Sequence, residues 1–342
     1  MQKVFPRASV RILQTTCCLA IAVLGLSVAQ ARNPLHLDAI ERDGYGVVEM
    51  KQPVANEFFL EGSLNGHPIR LVLDTGFCSN YIMMTNATAA FLRVPPQPIK
   101  GVGHGVSGKA VGNLRKGIAD SMVLGNVQVA GVPLRFASLP TLKGHAPEGL
   151  WRTDGMLGNE RAVRNDANGF LGLGFLRTCA AIIDLSNRRL YLKAPGTGRT
   201  PNLGPALKSV GYSAAPFQLT EDGLLVDVSI NGVSGKMIID TGDDITLVDS
   251  RFAAQAKLKS YTARDIRMLD VTGTEMRPSM AELASFKIGG VEVNRREVQV
   301  GPVGFLPASG GQVIGLLGMD FMGQSWGIID FADHKLYFTV AK

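Results

Sequence analysis

The stretch Leu71-Val72-Leu73-Asp74-Thr75-Gly76 has a counterpart 166 positions later, Met237-Ile238-Ile239-Asp240-Thr241-Gly242. Each copy is an apolar run that ends in Asp-Thr-Gly. The run predicts a buried strand, and the glycine predicts a tight turn that a side chain would obstruct. An ionisable carboxylate at the end of a buried strand is unfavourable unless it has partners or a task. Two carboxylates in matched settings therefore predict a functional pair, Asp74 and Asp240.

The segments before these stretches are duplicated as well. Residues 58–64 predict a strand that runs into the turn Asn65-Gly66, and residues 224–230 predict a strand that runs into Asn231-Gly232. Asn-Gly between apolar runs is the strongest short signal for a tight hairpin. Strand, turn, strand and Asp-Thr-Gly therefore form one unit that occurs twice.

A second duplicated block closes each half of the chain. Residues 170–176, Phe-Leu-Gly-Leu-Gly-Phe-Leu, align without a gap with residues 316–322, Leu-Leu-Gly-Met-Asp-Phe-Met. Each block is followed by Ile-Ile-Asp, ending at Asp184 in the first copy and at Asp330 in the second, and then by Leu-Tyr. Both Asp residues precede a turn between strands, so we expect structural hydrogen bonds from them rather than catalysis.

The composition fits two β-rich domains better than a helical or disordered chain. With 342 residues, 19% charged residues and 40 glycines, the chain is long enough for two cores and rich in turns. The repeats predict an all-β fold of two homologous domains, residues 32–196 and 205–342, joined by a linker at 197–204. The formal charge of +6 falls to about +3 without residues 1–31, and no dense run of Lys or Arg predicts nucleic-acid binding.

Residues 1–31 predict a secretory signal peptide. Three basic residues precede an apolar stretch that ends in Ala29-Gln30-Ala31, a small-x-small cleavage site. Cleavage after Ala31 would place the mature chain in the periplasm or outside the cell; the alternative is an uncleaved membrane anchor. No later stretch approaches the ~18 apolar residues that a membrane span needs. For the remaining cysteines, Cys78 and Cys179, we expect free thiols, with a disulfide as the alternative in an exported chain.

A pair of neighbouring carboxylates has a known chemistry. The two cannot both ionise cheaply, since like charges raise one of the two pKa values, so they share a proton and can hold a water between them. One carboxylate then draws a proton from the water while the other donates to a substrate carbonyl. This hydrolyses an amide without a covalent intermediate, a metal or a cofactor. The threonine after each Asp supplies a hydroxyl that can bond to backbone across the interface.

Duplicated Asp-Thr-Gly, each followed downstream by an apolar-apolar-Gly triplet, resembles the pepsin and retropepsin aspartic proteases, and the Ile-Ile-Asp and Leu-Tyr segments look like the bacterial retropepsin-like branch. The resemblance covers roughly residues 58–338. It implies two pepsin-like β-barrel lobes related by pseudo-two-fold symmetry, with the active-site cleft between them. Both catalytic residues, Asp74 and Asp240, would come from one chain. The protein is therefore expected to act as a monomer on a polypeptide substrate in extended form.

The resemblance also implies supporting roles, residue by residue. The residues beside the pair are Thr75 and Thr241 as interlocked hydroxyls, Gly76 and Gly242 as points of close backbone approach, and Gly172 and Gly318 as the places where a strand passes beneath each catalytic loop. The β-hairpin flap would correspond to residues 101–108, including Gly103, His104 and Gly105, with a counterpart at about residues 269–274.

Some features depart from the family's pattern. Phe77 and Asp243 directly follow Asp-Thr-Gly, where the family usually has Ala, Ser or Thr, and the flap segment has no Tyr of the pepsin kind. Asp243 brings a third carboxylate near the pair, where it would either raise the pKa of the pair or point to solvent. His104 would either meet substrate or be an exposed loop residue, and we expect the latter. Gly158, in Met-Leu-Gly, is an alternative to Gly172.

The sequence thus predicts a secreted or periplasmic, bilobal aspartic endopeptidase. The alternative is a non-catalytic peptide-binding or partner-regulated module on the same fold; the presence of both Asp74 and Asp240 favours the enzyme. The five histidines are scattered, and no pair has metal-ligand spacing, so no metal site is expected.

Overall fold

The computed structural model describes residues 39–51, 57–99, 103–142, 167–193, 200–262, 268–295, 297–304 and 313–340. The predicted signal peptide at 1–31, the alternative glycine Gly158, residues 101 and 102 of the predicted flap and residues 197–199 of the predicted linker lie outside these ranges. Within them, no helix has the length and apolar character that crossing a membrane requires.

Strands are the main secondary structure of both halves, and the helices are short. The strands of the first half are β1 (Tyr45–Lys51), β2 (Phe59–Leu64), β3 (His67–Leu73), β4 (Ile82–Thr85), β5 (Gln97–Pro98), β6 (Gly103–His104), β7 (Ala110–Val111), β8 (Arg115–Leu124), β9 (Val127–Ala137), β10 (Gly169–Leu171), β11 (Ile182–Asp184) and β12 (Arg189–Lys193). Those of the second half are β13 (Tyr212–Leu219), β14 (Leu224–Ile230), β15 (Val233–Ile239), β16 (Leu247–Asp249), β17 (Ser260–Tyr261), β18 (Met268–Leu269), β19 (Glu275–Met276), β20 (Ser279–Glu282), β21 (Phe286–Ile288), β22 (Val291–Glu292), β23 (Glu297–Gly301), β24 (Val313–Leu317), β25 (Ile328–Asp330) and β26 (Lys335–Thr339). The helices are α1 (Ala39–Arg42), α2 (Asn86–Phe91), α3 (Leu173–Thr178), α4 (Gly204–Ser209), α5 (Ser250–Gln255) and α6 (Met319–Met322).

Each Asp-Thr-Gly strand is the second strand of a hairpin. β2 pairs antiparallel with β3, and β14 pairs antiparallel with β15. Asn65 and Gly66, which connect the first hairpin, have φ angles of 48° and 76°, and Asn231 and Gly232 in the second have 49° and 82°. These left-handed angles belong to the tight turns that Asn-Gly favours. Both predicted hairpins are therefore confirmed.

A crossing strand holds each Asp-Thr-Gly turn. β10 runs parallel to β3, with Leu171 beside Leu73, and β24 runs parallel to β15, with Leu317 beside Ile239. The strands that leave the two turns, β4 and β16, pair antiparallel with the same β10 and β24. In each lobe, therefore, a single crossing strand pairs both with the strand that leads into the Asp-Thr-Gly turn and with the strand that follows the turn.

The apolar runs before the Asp residues are buried on both faces. In β3, Leu71 and Leu73 join the main core, whereas Val72 joins a smaller apolar cluster on the opposite face. In β15, Ile239 joins the main core and Ile238 a second small cluster. Because side chains alternate along a strand, burial of both faces requires a continuous apolar run rather than an alternating one.

The two halves share one six-stranded antiparallel sheet, in the order β1-β12-β11-β25-β26-β13. At its middle β11 pairs with β25, and the completely buried residues Ile183 and Ile329 are partners. Residues 40–342 accordingly form one compact unit. The fold is all-β, with two homologous lobes, as the repeats predict. Helix α4 begins at Gly204, the last residue of the predicted linker.

Candidate active site

The two Asp-Thr-Gly turns lie against each other. A Cβ atom added at Gly76 would be 2.3 Å from Oδ2 of Asp240, and one added at Gly242 would be 2.5 Å from Cγ of Asp74. No side chain fits in either place, so only glycine lets each carboxyl group sit against the backbone of the opposite turn. The fold therefore brings Asp74 and Asp240 to one place, at the meeting point of the lobes.

The two threonines interlock behind the carboxyl groups. The Thr75 hydroxyl donates to the carbonyl of Ile239 at 2.7 Å and accepts from the Thr241 N–H at 3.0 Å. The Thr241 hydroxyl donates to the carbonyl of Leu73 at 2.8 Å and accepts from the Thr75 N–H at 3.0 Å. Both threonines are completely buried. Four buried hydrogen bonds thus fix the position of one turn relative to the other.

A backbone donor orients each carboxyl group. The Phe77 N–H donates to Oδ1 of Asp74 at 2.9 Å, and the Gly242 N–H donates to Oδ1 of Asp240 at 2.8 Å. The two groups differ in exposure, since Asp240 is 7% exposed and Asp74 is half-buried. The pair is therefore related by pseudo-symmetry without being equivalent.

Phe77 and Asp243, the two departures from the family's pattern, occupy matching backbone positions. The N–H of the first residue of α3 donates to the Phe77 carbonyl at 2.9 Å, and that of α6 donates to the Asp243 carbonyl at 2.9 Å. A Cβ at Gly172 would lie 2.4 Å from the Phe77 carbonyl oxygen, and one at Gly318 would lie 2.9 Å from that of Asp243. Both glycines are required for this close approach.

The side chains at these two positions differ in their surroundings. The Phe77 ring packs on the small apolar cluster of the first lobe, with its centroid 6.5 Å from that of Phe170. Asp243 is half-buried, and its Oδ1 accepts from the Ile245 N–H at 3.4 Å. The unusual residues thus change the side chains beside the pair and leave the backbone of the two turns matched.

Sequence reasoning missed a polar network behind the second turn. The Thr246 N–H and hydroxyl both donate to Oδ1 of Asp320, at 2.9 and 2.7 Å, while Arg295 forms an ion pair with Oδ2 of Asp320. The Gly318 N–H donates in turn to the Thr246 hydroxyl at 3.2 Å. One feature of the sequence could have pointed to this network. In the aligned blocks, Asp320 occupies the position that Gly174 occupies in the first half. The network holds the second turn through side chains that the first lobe lacks at that position.

Both cysteines among the described residues, Cys78 and Cys179, are free thiols. Cys78 lies four residues after Asp74, and its Sγ is within 3.2 Å of the carbonyl oxygen of Gly76. Although part of the residue is exposed, crowding of the thiol by protein atoms, with the charges of Asp240 and Asp74, raises the pKa of Cys78 to about 12. Burial raises the pKa of Cys179 to about 11. Neither thiol is a nucleophile near neutral pH.

Two hairpins stand at matching places in the lobes. β6 pairs with β7 in the first lobe, and β18 pairs with β19 in the second. Gly103 and His104 form β6, His104 is exposed, and Gly105 opens the turn. The turns carry glycines of nearly identical φ, 79° at Gly108 and 78° at Gly273. The predicted flap segment and its counterpart are thus both hairpins.

Asp184 and Asp330 do not join the pair. They lie in the central sheet, on β11 and β25, and accept hydrogen bonds from the turns that follow them. Within the described ranges, no group of three or more His, Cys, Asp or Glu residues is arranged to hold a metal ion.

Comparison with known proteins adds a family. A family model described as "Aspartyl protease" matches residues 60–160 and 226–321, each segment containing one Asp-Thr-Gly. A comparison with curated proteins finds no match. Among solved structures, an aspartic proteinase from Irpex lacteus is similar with a TM-score of 0.45 and 14% identity, over 87% of this chain and 98% of its own chain.

Proposed function

The chain belongs to the aspartyl protease family, and from this premise we propose that it is an endopeptidase that hydrolyses peptide bonds with a water activated between Asp74 and Asp240. The observation that carries the proposal is the reciprocal contact of the two turns. Each carboxyl group rests against the glycine of the other turn, and the interlocked threonines hold the two turns together. Family and fold are those of proteases; the roles of the two Asp residues are the proposal.

The reaction follows from the sharing of one proton by the pair. Two adjacent carboxyl groups titrate as a unit, so one is ionised while the other keeps its proton. The ionised group removes a proton from the water as its oxygen bonds to the peptide carbon, and the protonated group donates to the carbonyl oxygen. As the resulting diol collapses, the carboxyl group that took the proton of the water gives it to the departing nitrogen, the other carboxylate takes a proton from a diol hydroxyl, and the C–N bond breaks. The pair returns to its starting state, with no covalent intermediate.

The fold supplies the rigidity that this chemistry needs. A water between two carboxyl groups attacks efficiently only if both groups keep their positions, since small displacements of either group lower the reaction rate strongly. The buried bonds of Thr75 and Thr241 and the crossing strands β10 and β24 provide that rigidity. Because one chain supplies both turns, we propose that it acts as a monomer, without a cofactor. The substrate would be an extended polypeptide in the cleft, met in the periplasm or outside the cell.

Peptide cleavage tests the proposal. The full chain, produced with its own N-terminal segment, would be incubated with a peptide library at several pH values from about 3 to about 7, because the pair is competent only where it holds one proton. Asp74→Asn and Asp240→Asn are each expected to abolish cleavage. Asp120→Asn, at an exposed residue, is the matched control and should cleave as the wild type does.

Two outcomes would contradict the proposal. Unchanged cleavage in either of the Asp74 and Asp240 variants would show that the pair is not the catalytic group. A folded wild-type protein that cleaves no peptide at any pH would favour the non-catalytic peptide-binding module.

A further inference from the structure

The two hairpins have the same turn, which makes their residues comparable one by one. We call residues 103–111 the first flap and residues 268–276 the second flap. The Gly105 N–H donates to the Lys109 carbonyl at 3.0 Å, and the Asp270 N–H donates to the Thr274 carbonyl at 3.1 Å. Gly105 and Asp270 are therefore equivalent, and so are the residues that follow them, Ser107 in the first flap and Thr272 in the second.

Each flap tip packs on the opposite lobe. Val106 of the first flap joins the apolar cluster of the second lobe, which includes Ile238, two residues before Asp240. Val271 of the second flap joins the apolar cluster of the first lobe, which includes Val72, two residues before Asp74. Each tip thus packs on the apolar cluster to which the opposite lobe's Asp-Thr-Gly strand contributes.

A backbone contact adds to this crossing. The Gly304 N–H donates to the Val106 carbonyl at 2.8 Å, and a Cβ at Gly304 would be 2.4 Å from the Ser107 carbonyl oxygen. In the matching place, a Cβ at Gly273 would be 3.3 Å from Cβ of Pro140. The first flap is therefore bonded to the second lobe, whereas the second flap contacts the first lobe through packing at this point.

The Asp270 carboxylate joins the two flaps. Its Oδ2 accepts from the Ser107 N–H at 3.2 Å and from the Ser107 hydroxyl. Its Oδ1 accepts from the Thr272 N–H and hydroxyl, at 2.9 and 2.6 Å, and from the Thr274 N–H at 3.0 Å. Asp270 is 7% exposed. One buried carboxylate thus receives bonds from the tips of both flaps.

The ionisation of Asp270 favours hydrogen bonds from Ser107 that persist at acidic pH. Burial opposes ionisation, but the hydrogen bonds from Ser107, Thr272 and Thr274 outweigh it and hold the pKa of Asp270 below its usual range. The carboxylate therefore stays ionised at pH values where an ordinary Asp is partly protonated. Bonds to an ionised acceptor are the stronger kind.

Only one of the two flaps can carry this group. A Cβ at Gly105, the residue equivalent to Asp270, would lie 2.4 Å from Oδ2 of Asp270. A second aspartate there would meet the first one sterically and by like charge. The flaps therefore break the pseudo-symmetry of the fold, with an acceptor on the second and a glycine and a hydroxyl donor on the first.

We propose that Asp270 is a positioning residue for the peptidase reaction: through Ser107 it fastens the first flap to the second and so fixes the flaps that cover an extended peptide beside Asp74 and Asp240. The inference rests on the proposed function. Flap closure excludes water and completes an active site, and here the closed arrangement depends on one inter-flap acceptor. Peptide entry requires the Ser107–Asp270 bonds to part, and productive cleavage requires them to form again.

The equivalence of Ser107 and Thr272 provides a matched pair of variants. Ser107→Ala removes a hydroxyl bond between the flaps, whereas Thr272→Val removes a hydroxyl bond to the same carboxylate within the second flap. We expect Ser107→Ala to lower kcat about tenfold with less than about a threefold change in KM, because a looser flap positions bound peptide less well. Thr272→Val should change kcat by less than about threefold.

Amide hydrogen exchange makes the test independent of activity. In the free full-length protein, exchange at Ser107 and Gly304, whose N–H groups donate to Asp270 and to the Val106 carbonyl, should be at least about tenfold faster in Ser107→Ala than in wild type, and unchanged in Thr272→Val. Equal amide exchange in wild type, Ser107→Ala and Thr272→Val would show that the Ser107–Asp270 bond does not hold the two flaps together. Faster exchange with an unchanged kcat would overturn the positioning role. If the wild type cleaves nothing, the proposed function fails, and the exchange rates still decide whether Asp270 fastens the flaps.

Discussion

Replacing Asp330 by Asn should affect stability in a pH-dependent way. The free energy of unfolding of the variant, measured against that of wild type at the same pH, should be higher at neutral pH than in acid. Asp330 and Asp184 occupy equivalent positions in the central sheet, but only Asp184 has bonds to both oxygens, from Ser186 and Asn187. At Asp330, Oδ1 accepts two backbone N–H bonds, and Oδ2 is buried with no hydrogen-bond partner among the described residues. The following residues, Ala332 and Asp333, supply no side-chain donor where the first lobe has Ser-Asn.

The size of the effect follows from the pKa of the carboxyl group. Burial, with the nearby charge of Asp333, raises the pKa of Asp330 from 3.8 to about 6, against the two backbone bonds that lower it. A rise of roughly two pKa units corresponds to about 3 kcal/mol. Because the folded state binds this proton more tightly than the unfolded chain does, its stabilising effect is complete below about pH 4 and is lost as the pH rises through about 6.

Urea unfolding of wild type and Asp330→Asn at about pH 4, 5, 6 and 7 measures the pH-dependent contribution of Asp330 to the free energy of unfolding. The amide cannot ionise, so the variant's free energy of unfolding should gain up to about 3 kcal/mol on that of wild type between pH 4 and pH 7. Asp184→Asn is the control, and it should be destabilised at every pH because it disturbs bonded oxygens. Parallel pH profiles for wild type and Asp330→Asn would refute the reasoning.

Three further predictions concern the two Asp-Thr-Gly turns and the neighbouring Cys78. Gly76→Ala places a methyl group against the carboxyl group of Asp240, so peptide cleavage should fall roughly a hundredfold at unchanged circular dichroism; wild-type activity would contradict the contact. Thr75→Val leaves the buried Thr241 N–H without its acceptor and should lower the free energy of unfolding by about 2 kcal/mol more than Thr75→Ser does; equal stability of the two variants would contradict the interlock. Cys78, with its pKa raised to about 12, should resist iodoacetamide at about pH 8 in the folded protein and react after unfolding, as followed by mass; rapid labelling of the folded protein would refute the raised pKa.

The sequence was most informative where structure is decided locally. Asn65-Gly66 and Asn231-Gly232 adopt the left-handed angles that their residue types favour, so both hairpins could be predicted from neighbouring residues alone. The apolar runs before the Asp-Thr-Gly turns likewise predicted buried strands, and the structure shows that both faces of these strands are buried. The resemblance to the pepsin and retropepsin proteases predicted a crossing strand at Gly172 and at Gly318, where β10 and β24 lie, and the gapless match of residues 170–176 with residues 316–322 favoured Gly172 over Gly158.

What could not be predicted depends on contacts between distant residues. The bonds of Ser107 to Asp270 join residues 163 positions apart, and the sequence of neither flap indicates which residue of the other flap it contacts. The network of Arg295, Thr246 and Asp320 has the same origin. The pairing of β11 with β25 also escaped, since an Ile-Ile-Asp segment indicates a strand without indicating its neighbour. The signal peptide, the domain boundaries and the roles of the predicted site residues remain predictions.

The central six-stranded sheet determines how separable the two lobes are. A lobe on its own would present β11 or β25 as an open strand edge with a buried isoleucine at its middle, Ile183 or Ile329. Such an edge is a template for pairing with another chain. A protein nicked between β12 and α4 would therefore keep its fragments associated, and fragments produced apart would either complement each other or aggregate. The two lobes thus resemble each other as domains, whereas the shared sheet makes each depend on the other as the subunits of a dimer do.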